Sequence, residues 1–127
     1  MGSWGVGAFD NDDAQGFLGV LRQASPERQV QLVEEALRAA AALDGYLQVD
    51  DGNTAVAAGA LVAAACAVRV DAEAAGVEPP ARQTVLLAGA ALERVLAPAT
   101  SEWRQLWGDG DAVGVVRDLL ATLRPPA

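Results

Sequence analysis

A chain of 127 residues carrying nine basic and seventeen acidic side chains has a net charge of −8, which repels the phosphate backbone of nucleic acids. His and Lys are both absent, so all nine basic residues are Arg; this excludes a Ser-His-Asp triad, a His-ligated metal, a lysine Schiff base and a Walker A phosphate loop. The length suits one domain with one core, and 52% of the residues are hydrophobic, much of that share being Ala, with no Ile and only three Trp, one Tyr and two Phe.

That composition favours helices packed through small side chains over a sheet built on β-branched and aromatic residues. Residues 1–9 alternate Gly2, Gly5 and Gly7 with Trp4, Val6 and Phe9, which predicts an extended arm whose Trp4 and Phe9 tuck into the core. A first helix is expected from Asp10 or Asn11, capped by one of them, with Asp12 and Asp13 at the positive end of its dipole. Its apolar residues Ala14, Phe17, Leu18 and Leu21 fall at helical spacing. Ser25-Pro26 opens a second helix as N-cap and first helical residue, with a stripe of Val30, Val33, Leu37 and Ala41. Gly45 is expected to end it, and Val49-Asp50-Asp51-Gly52-Asn53 reads as a turn.

The third helix is predicted from about Thr54 to Ala75. It is apolar nearly all round over its middle, so it should lie at the centre of the fold. Gly76 and the stiff Glu78-Pro79-Pro80 follow it. Val85, Leu86, Leu92, Val95 and Leu96 mark a fourth helix closed by Pro98, and Ser101 caps a short fifth over Glu102 to Trp107. Gly108-Asp109-Gly110-Asp111 is a turn before the last helix, which carries Val115, Val116, Leu119, Leu120 and Leu123. No sustained alternation of period two competes with these helices. The expected fold is therefore all-α: one compact bundle of about five to six helices spanning residues 1–127, with an extended N-terminal arm packed on it.

Cys66 is the single cysteine, so no intramolecular disulfide forms, and inside an apolar run it reads as a small core residue. The N-terminus lacks the basic and apolar regions of a secretory signal. The uncharged stretch from Ala55 to Val68 is shorter than the roughly 20 residues needed to cross a bilayer. A cytoplasmic location and no membrane partner are the expectations, with no cofactor required and the oligomeric state open.

Two places concentrate the chemistry. Asp10-Asn11-Asp12-Asp13 copies the first two ligand positions of a calcium loop but places Ala14 and Gln15 where an acceptor and Gly belong, so capping is its ordinary reading and no metal site is assigned. Ser101-Glu102-Trp103-Arg104-Gln105-Leu106-Trp107 sets Trp103 and Trp107 on one helical face, as core anchors or as an aromatic contact surface. The candidate ligand- or partner-binding residues are accordingly Trp4, Phe9, Asp10, Asn11, Asp12, Ser101, Glu102, Trp103 and Trp107, with no catalytic residue. Asp109-Gly110-Asp111 resembles an aspartate nucleophile pair but follows a helix where that chemistry needs a strand, so it reads as a turn.

Three segments together resemble a bacterial family, the domain of unknown function numbered 4259. They are the start from Met1 to Ala14, with Trp4, Gly5, Phe9, Asn11 and Asp12 as its most specific part, then Ala91 to Leu96, then Ser101-Glu102 with Leu106-Trp107. The resemblance spans essentially the whole chain and implies a helical fold; it brings no activity and no functional residues. In that family the central helix often carries a Glu in its Ala-rich stretch, where this chain has Gly59-Ala60-Leu61. The leading expectation for function is a non-catalytic binding or interaction protein that neutralises or escorts a protein partner. Small-molecule sequestration between helices is the first alternative, and a carboxylate- or metal-dependent hydrolase the second.

Overall fold

Helices α1 (Asp12–Arg22), α2 (Pro26–Ala41), α3 (Val49–Ala67), α4 (Arg82–Val95), α5 (Glu102–Trp107) and α6 (Asp111–Leu123) follow one another in a computed structural model. The structure describes Gly5 and residues 7–67 and 81–123. Among these residues there is no strand; Leu47 and Ser101 form one isolated parallel bridge.

Three helix starts follow from side-chain caps legible in the sequence. Asn11 Oδ1 accepts the Ala14 N–H at 2.7 Å, Ser25 Oγ that of Arg28 at 3.3 Å, and Ser101 Oγ that of Arg104 at 3.2 Å. Each satisfies one of the free donors of a first turn. Helix α2 stops at Ala41 with Ala42 as its C-cap, so Gly45 lies in the following loop, in the left-handed region at φ +113°. Val30, placed on the inner stripe from sequence, is exposed. Leu37 and Ala40 are the buried residues of α2.

Helix α3 is central, as its all-round apolarity predicts. It touches α1, α2, α4, α5 and α6, and Ala55, Val56, Ala57, Ala58, Ala60, Val62 and Ala63 are all buried along it. Small residues let its neighbours approach closely. A Cβ at Gly59 would stand 2.9 Å from Leu92 Cδ2 of α4, and Ala88 and Ala91 are completely buried on the α4 side. The larger core residues Leu37, Leu47 and Leu92 are fully buried, each stabilising the fold by about 1.5–3 kcal/mol.

The expected start of α3 is corrected. Val49-Asp50-Asp51-Gly52-Asn53 is the first turn and more of α3, not a loop, so the helix begins five residues before Thr54. Asp50 and Asp51 suit the positive end of the helix dipole, as Asp12 and Asp13 do in α1. Gly52, read as a turn residue, is required by packing: a Cβ there would sit 2.8 Å from Trp103 Cβ. The predicted continuation of this helix past Ala67 to Ala75, and the connector at residues 76–80, lie outside the described residues.

The loops between α2 and α3 and between α4 and α5 are bound to each other. Leu47 N–H donates to the Thr100 carbonyl and Glu102 N–H donates to the Leu47 carbonyl, both at 2.8 Å. Arg94 donates to the Thr100 carbonyl and Oγ1, both at 3.1 Å, and also to the Gly45 carbonyl. These bonds set the position of α5 against the N-terminal end of α3.

Candidate functional site

The described end of the N-terminal arm closes in a turn, and the residues around it form the site. Asp10 N–H donates to the Gly7 carbonyl at 3.1 Å, and Asp10 Oδ2 accepts the Gly7 N–H at 3.0 Å. The carboxylate lies so close over the chain that a Cβ at Gly5 or Gly7 would approach Oδ2 to 2.6 or 2.7 Å. The glycines of the arm thus serve close approach to a carboxylate. Phe9 is half-buried, and its carbonyl accepts from Gln15 Nε2 at 3.0 Å, turning the arm into α1. Trp4, expected in the core, lies outside the described residues.

The structure brings this turn against α5. Gly5, Gly7, Ala8 and Asn11 face Asn53 and Val56 of α3, Trp103 and Trp107 of α5, and α6 across one small cleft. Trp103 is buried and Trp107 half-buried, with ring centroids 6.2 Å apart and planes tilted by 47°, an ordinary aromatic contact. The cleft volume is about 10 Å³, room for about one water. Small-molecule pockets run to roughly 300–1,000 Å³.

Most of the nine residues singled out from sequence have a structural task. Asn11 is buried as the cap of α1, and Ser101 is fully buried as the cap of α5. Asp10 closes the arm turn. Asp12 is exposed as the first residue of α1. Glu102 serves another helix: its Oε1 accepts the Val49 N–H at 2.7 Å, occupying one of the free donors at the start of α3. Phe9, Asp10, Asn11, Trp103 and Trp107 gather around the cleft or the turn beside it.

Three contributors escaped the sequence reading. Asn53, taken for a turn residue, is buried in α3, and its Nδ2 donates to Asp13 Oδ2 at 2.9 Å, joining α3 to α1. The pair of acids after Val49, matching the pair that starts α1, was the available signal for a helix there. Arg104 has no such signal. Its side chain is only 15% exposed, and it donates to the Leu96 carbonyl at 2.9 Å and the Gly108 carbonyl at 3.0 Å while pairing with Asp109 at 2.9 Å. It fastens the end of α4 to the end of α5.

Asp51 is the third. Burial, then Asp50, then Asp13 push its carboxyl up from its ordinary value. The starts of α1 and α3 therefore bring Asp50 and Asp13 close enough to disfavour the charged form of Asp51. Among the described residues no three acidic or thiol side chains are grouped as a metal site would need, and no helix is long and apolar enough to cross a membrane.

No curated protein and no solved structure matches this chain. A family model, a domain of unknown function named DUF4259, matches residues 2–114, covering the glycine-rich turn, the Asn11 cap, the Asn53 bridge and the Trp103–Trp107 pair. The chain belongs to the DUF4259 family.

Proposed function

We propose that this chain is a non-catalytic interaction protein whose partner is another protein bearing a basic face. The observation that carries the reading is the opposed carboxylates at the meeting of α1 and α3. Asp50 and Asp51 are exposed, Asp13 is half-buried beside them, and the charged form of Asp51 is disfavoured by its surroundings. A cationic surface docking there would relieve that opposition, and the net charge of −8 would speed its arrival. His and Lys are absent, and Asp10, Glu102 and Ser101 are engaged in holding the fold.

The test is native mass spectrometry of the chain purified from its own host at low salt. A stoichiometric protein partner is expected, released as ionic strength rises from about 0.05 to 0.5 M because exposed charges are then screened. Asp50→Asn combined with Asp51→Asn should weaken the complex about tenfold or more. A chain that carries no protein at any salt concentration would overturn the reading. A rise in melting temperature with calcium, magnesium or manganese would point instead to the metal-dependent alternative, since a native-state ligand stabilises the fold.

A further inference from the structure

Three side chains that line the cleft between the arm turn, α3 and α5 are each more than nine-tenths buried: Asn11 is 7% exposed, Asn53 5% and Trp103 3%. Each amide already uses one polar end. Asn11 Oδ1 accepts the Ala14 N–H at 2.7 Å, and Asn53 Nδ2 donates to Asp13 Oδ2 at 2.9 Å. These bonds fix how both amides are turned, because the reverse would set a donor against an N–H and an acceptor against a carboxylate. The other ends, Asn11 Nδ2 and Asn53 Oδ1, make no hydrogen bond among the described residues, and neither does Trp103 Nε1. Among those residues every buried side-chain polar atom that water cannot reach has a partner, so these three atoms are within reach of water.

Two N–H donors and one carbonyl acceptor select what can sit between them. A cation would meet the hydrogens of Asn11 and Trp103, and an anion would meet the carbonyl oxygen of Asn53. The complementary group is neutral, accepts twice and donates once. Water does this, and a cleft of about 10 Å³ has room for about one. A buried water makes about three hydrogen bonds, which matches the partners on offer. A ligand hydroxyl or carboxamide could make the same bonds, but the carbon attached to it exceeds that space.

We infer that the cleft is a binding site for one structural water, which accepts from Asn11 Nδ2 and Trp103 Nε1 and donates to Asn53 Oδ1. The water joins the cap of α1, the first half of α3 and the start of α5 at the point where these elements meet. It completes a polar chain from the Ala14 N–H through Asn11 and Asn53 to Asp13, so α1 is tied to α3 through both its cap and its first turn. Without it, three polar groups of buried residues would lack partners, which is costly. The inference goes beyond the partner reading and stands whether or not a basic partner exists.

A crystal structure of the whole chain at a resolution that shows ordered solvent tests it directly. One solvent atom is expected within about 3.2 Å of all three of Asn11 Nδ2, Asn53 Oδ1 and Trp103 Nε1. In solution, the Trp103 indole N–H and the Asn11 side-chain amide should both give dipolar NMR cross-peaks to a water that stays longer than surface water does. Trp103→Phe keeps an aromatic ring in the core and removes the donor, so the cross-peak at Asn11 should fall severalfold while the amide shifts of α2 stay unchanged. A cleft without ordered solvent, a solvent atom that misses any of the three groups, or an Asn11 cross-peak undiminished in Trp103→Phe would overturn the inference.

Discussion

The glycines of this chain illustrate how one residue type takes opposite roles according to its neighbours. Gly52 faces Trp103 Cβ at 2.8 Å from where a Cβ would be, and both groups are held in helices that cannot easily part. Gly52→Ala should cost about 1–3 kcal/mol by overpacking. Gly89 in α4 and Gly114 in α6 face open space. Alanine at either should raise stability by about 0.5–1 kcal/mol, since only the backbone entropy of the unfolded chain changes. Urea unfolding of the three single variants checks both signs. Asn11 is a similar case of one atom mattering: its Oδ1 caps α1 from a buried position. Asn11→Ala should cost about 1–2 kcal/mol, and Asn11→Asp should restore most of it, by the same measurement.

At the scale of elements, side chains of the short helix α5 hold the ends of longer helices. Arg104 fastens the end of α4 to the end of α5 through two backbone carbonyls, and these bonds need the planar guanidinium fork. Arg104→Lys is therefore expected to cost about 1 kcal/mol, because the part-buried Leu96 carbonyl loses its donor. Asp109→Ala removes only the partner whose side chain is 90% exposed and should cost under about 1 kcal/mol. Thermal and urea unfolding of the two variants separates carbonyl clipping from ion pairing. Glu102 supports α3 from α5 across 53 positions of sequence. A carboxylate adjacent in sequence could cap its own helix; this one caps a helix it meets only in the folded chain.

Over the whole molecule, the carboxylates at the α1–α3 junction set a pH dependence whose sign can be worked out. The folded chain holds Asp51 above its ordinary value of 3.8, so the folded state keeps this proton more tightly than the unfolded state does. Below 3.8 the group is protonated in both states and carries no penalty. As pH rises from 3.8 through the folded value, stability is lost. Asp51→Asn should consequently be more stable than the native chain at pH 7, by well under about 1 kcal/mol because Asp51 is exposed and screened. The difference should vanish near pH 3. Paired thermal melts from pH 3 to pH 7 would show this convergence; a difference that grows toward low pH would refute it.

The sequence by itself determined the fold class, the helix starts that use local caps, and the central place of α3. Those features rest on short-range physics: Asn11, Ser25 and Ser101 cap residues three positions onward, and an all-round apolar helix must be covered on every side. The start of α3 and the polar ties around the cleft were decided only by tertiary structure. Val49 begins a helix with help from Glu102, and Gly52 lies in that helix facing Trp103. Asn53 is placed by Asp13, and Arg104 by the carbonyl of Leu96 at the end of α4. In each case the partner is distant in sequence or belongs to a different element, and a hydrogen bond to such a partner leaves no periodicity or spacing to read. The segments that hold the candidate residues stood out by their acidic and aromatic side chains, but the structural roles of Glu102 and Asn53 became visible only once the helices were packed.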